Sequence, residues 1–203
     1  MEEKPTQGFK YWFTNVFWYH YGKLAILAVI LLIIGIWLTV DALHKEKYDL
    51  NIAVAVNGPV PESGLDRLRD SLIDVVGDVN GDGKVLINIQ AVDLSDQEDP
   101  AGAQQRLMLY LSLPEYPLFL LDEDRSGLYS RQEDTFQELK NYGIETEDPT
   151  GLRIYVGDRP LLRGMGRYDF YACLSDWTVS GKGSKSITEA GVRALREILE
   201  NEG

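Results

Sequence analysis

The chain has 203 residues, a net charge of −12 and a single cysteine, Cys173. An acidic balance of this size argues against a nucleic-acid-binding protein, because contacts to phosphate need clustered Lys and Arg. Both histidines, His20 and His44, precede residue 45. The chain from residue 45 onward therefore has no Ser-His-Asp triad and no His-ligated zinc site. With one cysteine, no intramolecular disulfide forms, so the fold must depend on its hydrophobic core.

Residues 24–40 form an apolar run without a charged side chain. The run is at the lower limit for a helix that spans a bilayer, which needs roughly 17–25 residues. Residues 9–21 before it are rich in Tyr, Trp and Phe, as is typical of a segment at the membrane–water interface. We therefore predict an interfacial segment at 1–23, a transmembrane helix at 24–40 and a juxtamembrane linker at 41–47. The membrane contact is expected through residues 9–40.

Two other interpretations of the apolar run remain open. In the first interpretation the run is a buried core helix. In the second it is the apolar centre of a signal peptide that is cleaved after Ala42. An aromatic segment of 23 residues before the run, and a run longer than about 7–15 residues, are unusual for a signal peptide. These features favour an uncleaved anchor.

The orientation in the membrane is weakly encoded. Lys10 and Lys23 precede the run, and Lys45 and Lys47 follow it. The positive-inside rule therefore gives little preference for either orientation of the helix. A short N-terminal tail before a C-terminal domain is the usual arrangement of a signal anchor. We therefore expect a cytoplasmic N-terminus and an extracytoplasmic domain at residues 48–203.

Residues 48–121 show alternating strand and helix patterns. Period-two apolar spacing predicts strands at 48–56 and 84–92, and a continuous apolar run predicts a buried strand at 116–121. Helical spacing predicts helices at 61–76 and 104–111. The β-α-β-α-β order predicts a three-layer-type α/β domain with a mainly parallel, mixed sheet.

Weaker patterns follow toward the C-terminus. They predict a short helix at 134–142, strands at 152–156 and 169–174, a loop at 178–185 and a final helix at 186–200. Cys173 lies inside the apolar run of the last strand, and a buried position is expected because free cysteine is among the most buried residue types.

The segment that begins at Asp78 places oxygen-bearing side chains at alternate positions. Asp78, Asn80 and Asp82, followed by Gly83, resemble the start of a calcium-binding loop. The twelfth position is Ile89, where such a loop carries a bidentate Glu. The same residue types also form an ordinary polar turn between a helix and a strand. A Ca²⁺ site and a turn without metal are therefore both compatible with the sequence.

Polar residues follow the predicted parallel strands. Asn57, Asp93 and the acidic run Asp122, Glu123 and Asp124 lie at these strand ends. Ligands of open α/β sheets bind beyond the carboxyl ends of the strands. A ligand-binding site is therefore predicted there, with Mg²⁺ or a cationic ligand as its occupant. The alternative is the ordinary polarity of strand–helix loops.

Several segments resemble uncharacterised single-pass membrane-anchored proteins of Gram-positive bacteria. They are residues 17–23 before the apolar run, 47–50 after it, 78–85 around the Asp/Asn/Gly turn and 119–123 at a strand end, together with the final helix. The β-α-β-α-β order also resembles one lobe of an extracellular solute-binding protein. The resemblance implies a bacterial envelope location and an α/β architecture, and it assigns no catalytic residue.

Two functions follow as expectations. The first is a non-enzymatic binding or protein-interaction module of the cell envelope, whose partner is an envelope protein or a small ligand. The second is a carboxylate- and metal-dependent envelope hydrolase centred on Asp122. The lack of a recognisable catalytic motif favours the first.

Overall fold

The computed structural model describes Gly8 and residues 18–44, 47–175 and 185–201. The chain divides into two compact units, Met1–Glu46 and Lys47–Gly203. Most of the aromatic segment predicted at the membrane interface, residues 9–17, lies outside the described residues, as do residues 176–184 of the C-terminal loop.

The first unit contains helix α1 (Trp18–His44), which is 27 residues long. It begins before the apolar run at 24–40 and continues beyond it. Its described large apolar side chains, from Leu24 to Trp37, are between 46% and 66% exposed. Among the residues that the structure describes, no helix combines the length and the apolar character needed to cross a membrane.

The second unit is an α/β domain built on one five-stranded mixed sheet. Its strands are β1 (Leu50–Val56), β2 (Ile87–Asp93), β3 (Leu118–Leu121), β4 (Arg153–Tyr155) and β5 (Tyr171–Leu174). Its α-helices are α2 (Glu62–Val76), α3 (Pro100–Ser112), α4 (Glu123–Tyr129) and α5 (Lys185–Glu200), with short 3-10 helices at Leu139–Tyr142 and Pro160–Leu162.

The strand order across the sheet is β2-β1-β3-β5-β4. Strands β1, β2 and β3 are parallel, whereas β5 is antiparallel to both β3 and β4. The two β-α-β crossovers supply the parallel half, as the sequence predicts. The mixed character of the sheet is therefore confirmed, with two parallel and two antiparallel pairings among the described strands.

Side chains that alternate along β1 separate two parts of the core. Leu50, Ile52 and Val54 pack with α2 and α5 on one face of the sheet. Ala53 and Ala55 pack with α3 and α4 on the other face. Helices cover both faces, which explains why β1 is buried along its whole length.

The predicted helix at 134–142 is wrong. Asp134 has a left-handed backbone (φ 61°), and only Leu139–Tyr142 forms a short 3-10 helix. The regular helix of this region lies earlier, at α4, directly after β3. Local sequence obscures it, because α4 has seven residues and too few turns to establish an apolar period.

Helix α3 begins at Pro100, four residues earlier than the predicted start at 104. The Asp99 side chain accepts a hydrogen bond from the Gly102 amide and so caps the helix. Proline suits the first helical position because its missing N–H would have no partner there. Cys173 is fully buried in β5, as predicted.

Candidate functional site

The ends of β1 and β3 are joined through the carboxylate of Asp122. The Asn57 amide donates to Asp122 Oδ2 at 3.2 Å, and the Arg125 amide donates to Oδ1 at 2.8 Å. The second contact makes Asp122 the N-cap of α4. This carboxylate therefore positions α4 over the carboxyl end of the parallel strands.

An open depression of about 280 Å³ lies at this edge of the sheet. It is lined by Asn57, Asp122, Glu123, Asp124, Arg167, Tyr168 and Asp169. We call it the strand-end depression. Of the five residues that the sequence selects for ligand binding, four therefore lie together: Asn57, Asp122, Glu123 and Asp124.

The strand-end depression contains three residues that sequence reasoning missed. Arg167, Tyr168 and Asp169 arrive from the loop before β5. The Tyr168 hydroxyl donates to the Pro59 carbonyl at 2.9 Å, which holds this loop against the loop after β1. No local pattern marks these residues, because their position depends on where β5 joins the sheet.

Asp93 ends β2 at the same edge, beside Val56 of β1. Its Oδ1 accepts hydrogen bonds from the Ser95 amide at 2.8 Å and from the Ser95 hydroxyl at 2.7 Å. Asp93 closes its own turn and does not line the strand-end depression.

The charge of the strand-end depression is predominantly negative. Asp122, Glu123, Asp124 and Asp169 carry carboxylates there, whereas Arg167 is the one cation among the described lining residues. Asp122 and the Tyr168 hydroxyl are already engaged with backbone groups. Glu123, Asp124 and Arg167 are exposed to solvent and available for a ligand.

The turn at 78–83 is held together by its own side-chain oxygens. Asp78 accepts from the amides of Gly81, Asp82 and Gly83, at 2.6, 3.2 and 2.8 Å. Asn80 Oδ1 accepts from the Asp82 amide at 2.9 Å. These contacts account for the Asp/Asn/Gly pattern as a polar turn. The Ca²⁺ site at Asp78, Asn80 and Asp82 stays a prediction.

Asp49 also stabilises this turn, and no pattern in the sequence predicts that role. Asp49 is only 1% exposed. Its carboxylate accepts hydrogen bonds from the amides of Val79, Asn80 and Leu86, at 2.7, 3.0 and 2.8 Å. Three backbone N–H donors satisfy a buried carboxylate that would otherwise be costly. Its role is structural.

A second cavity, of about 470 Å³, opens beside strand β4. It is lined by residues 145–149, Arg153, Ile154, Tyr155, Arg159 and Tyr171. Partial desolvation of its hydroxyl raises the pKa of Tyr155, and the nearby Asp169 carboxylate raises it further. Tyr155 is therefore a neutral hydrogen-bond donor at physiological pH.

Two further groups bear on chemistry. Burial raises the pKa of the Cys173 thiol far above its ordinary range, so Cys173 is a poor nucleophile. Within the described ranges, no three His, Cys, Asp or Glu side chains cluster in a way that would hold a metal ion.

Comparison with protein-family models, with curated proteins and with solved structures finds no match to this chain.

Proposed function

We propose that this chain is a single-pass membrane-anchored α/β protein that acts as a non-enzymatic binding or protein-interaction module of the cell envelope. The observation that carries the proposal is the strand-end depression. It lies where open α/β sheets bind ligands, beyond the carboxyl ends of their parallel strands.

The lining of the strand-end depression favours binding over catalysis. Both oxygens of Asp122 accept hydrogen bonds from backbone N–H groups. This carboxylate therefore caps α4 and links the ends of β1 and β3. Glu123 and Asp124 are exposed at the start of α4. Solvated carboxylates of this kind suit reversible contacts to a cationic ligand or to a basic surface of a partner.

The sequence and shape of α1 support the membrane anchor. Residues 24–40 of α1 carry no charge, and the described apolar side chains on all sides of this part are exposed. As a helix, the charge-free part at residues 24–40 is about 25 Å long, near the lower limit for crossing the roughly 30 Å hydrocarbon core of a bilayer. Exposed apolar surface of this extent is typical of a surface that contacts a membrane or another protein.

Two measurements test the anchor and its orientation. We expect the protein to stay in the membrane pellet after extraction with alkaline carbonate. Protease added to intact cells or protoplasts should remove the α/β domain if that domain is extracytoplasmic. Release by carbonate contradicts the anchor, and full protection from protease contradicts the orientation.

Site-directed photo-crosslinking tests the binding role. A benzophenone amino acid placed at Asp124 of the full-length protein in its native membrane should form one defined adduct. The same group at Asp70, an exposed acidic position on α2, is the matched control and should not form that adduct. A pattern that is equal at both positions contradicts binding at the strand-end depression.

A charge-reversal variant extends this test. Asp124→Lys should abolish the adduct formed from a neighbouring probe at Glu123, whereas Asp70→Lys should leave it unchanged. A hydrolase would behave differently: it would turn over a phosphate or ester substrate in a metal-dependent way and lose this activity in Asp122→Asn. That result would replace the binding proposal.

A further inference from the structure

The cavity beside β4 lies at an edge of the sheet, where no further strand of the described residues pairs. Strand β4 pairs with β5 on one side, and the strand order ends at β4. Residues 145–149 form the outer wall of the cavity, and Tyr155 and Tyr171 contribute two rings that meet edge to face with centroids 5.5 Å apart. We call this space the β4-edge cavity.

The backbone of Tyr155 faces away from β5. Val156 follows β4 directly and its amide donates at 2.8 Å to the carbonyl of Phe170, directly before β5, which places residues 156 and 170 in a hydrogen-bonded register. Such pairs alternate along antiparallel strands, which directs the N–H and C=O of Tyr155 to the outer side. No backbone group of the described residues bonds to them there. Tyr155 is also 42% exposed, so its outer side is open to a partner.

The next outward-facing position on β4, Arg153, already has a hydrogen-bond partner at its carbonyl. The Thr146 hydroxyl donates to the Arg153 carbonyl at 2.7 Å, which fastens the 145–149 wall to the strand. A partner segment can therefore form backbone hydrogen bonds to this edge at Tyr155 but not at the Arg153 carbonyl.

The unbalanced charge around the β4-edge cavity is negative. The Arg153 guanidinium is paired with Asp148 at 2.8 Å, and Arg159 lies 3.6 Å from Asp158. Glu145 and Glu147 are exposed, and neither forms an ion pair with another described residue. The exposed Tyr155 ring lines the same cavity and offers a surface that attracts cations.

We propose that the β4-edge cavity binds an extended, basic segment of a partner protein. The segment adds to the sheet by hydrogen-bonding to Tyr155, and it directs Lys or Arg side chains to the Tyr155 ring and to Glu145 and Glu147. Addition of a strand at a sheet edge takes its affinity from the main chain and its specificity from alternate side chains. No residue lines both the β4-edge cavity and the strand-end depression, so either proposal can fail without the other.

Three labelled peptides test this proposal against the full-length protein in a non-ionic detergent, by fluorescence anisotropy with a detergent-only blank. The first is Lys-Val-Lys-Val-Lys-Val. The second replaces each Lys with Glu and removes the charge match. The third replaces each Val with Pro, which keeps the charge but removes N–H donors that a strand needs. We expect saturable binding of the first peptide alone.

Two variants with the same change in net charge locate the site. Glu147→Lys should weaken binding of the first peptide by roughly three- to tenfold, because one exposed ionic contact becomes a repulsion. Glu133→Lys, an exposed acidic position outside the cavity lining, should bind as the wild type does. Both residues are exposed, so neither change disturbs the core.

Four results would overturn the inference. They are the absence of saturable binding, equal loss of affinity in Glu147→Lys and Glu133→Lys, tighter binding of the acidic peptide, and binding of the Pro peptide as tight as that of the Val peptide. The second result would indicate attraction to the net charge of the protein alone. The last would remove strand addition at Tyr155.

Discussion

Asp148 and Arg153 form the least exposed ion pair of the described residues, with Nε and Oδ1 2.8 Å apart and side chains 18% exposed for Arg153 and 9% for Asp148. The same guanidinium donates to the Glu123 carbonyl at 3.2 Å and to the Ser126 hydroxyl at 3.0 Å. It also lies over the Tyr171 ring, 4.7 Å from the centroid. One side chain thus connects the wall of the β4-edge cavity to α4 and β5.

Arg153→Met should destabilise the domain by about 2–4 kcal/mol. The change retains most of the side-chain volume but leaves Asp148 Oδ1 and the Ser126 hydroxyl without the guanidinium that donates to them, in a largely buried place. Urea unfolding measures the change. Lys140→Met is the matched control, because it removes the exposed Lys140–Glu138 pair and should cost no more than about 0.5 kcal/mol. Equal losses in the two variants would show that the buried network adds nothing.

The stability of the domain should depend on Asp148 at acidic pH. Burial alone would raise its pKa, but hydrogen bonds from Thr150 and Arg153 outweigh burial and hold the pKa below its ordinary value. A carboxylate with a lowered folded pKa stabilises the fold above its unfolded pKa, which is about 3.9. This contribution disappears as the pH falls from about 5 through the lower folded pKa.

The comparison of wild type with Asp148→Asn measures this dependence. We expect the free energy of unfolding of the wild type to fall more steeply than that of the variant between about pH 5 and pH 3. At pH 7 the variant should already be the less stable protein. Parallel curves for the two proteins would exclude a lowered pKa at Asp148.

Among the acidic residues in or against the turn at 78–83, Asp49 should be the one whose substitution costs the most stability. Asp49→Ala removes the acceptor of three part-buried amide hydrogen bonds, and we expect a loss of about 3 kcal/mol. Asp49→Asn keeps one acceptor oxygen and should lose less. Asp70→Ala, at an exposed position on α2, is the control and should change the free energy of unfolding by less than about 0.5 kcal/mol. A tolerated Asp49→Ala would mean that water replaces the carboxylate.

The turn at 78–83 should form without calcium. Its carboxylates accept amide hydrogens within the turn, and Ile89 occupies the position where calcium loops place a Glu. We therefore expect the same melting temperature in millimolar CaCl₂ and in EDTA. A rise with CaCl₂ that Asp78→Asn abolishes would establish the metal site instead.

The elements of the parallel half were predictable because their signals are local. Alternating apolar residues in β1 and helical spacing in α2 depend on neighbours a few positions apart, and both elements lie within two residues of the prediction. The ends are less certain, since β2 begins at Ile87, three residues after the predicted start. Helix α4 escaped prediction because one cap, Asp122, starts it and no apolar period follows.

The sequence by itself determined the α/β class, the buried cysteine and the charge-free run of residues 24–40. It also placed Asn57 and Asp122 at one edge, because parallel strands end on the same side. Only the tertiary structure brought Arg167, Tyr168 and Asp169 to that edge and left Tyr155 at a free one. Both depend on β5 joining β3 in the antiparallel direction, with β4 outside it. Such pairing is set by contacts far apart in the chain, which local periodicity does not record.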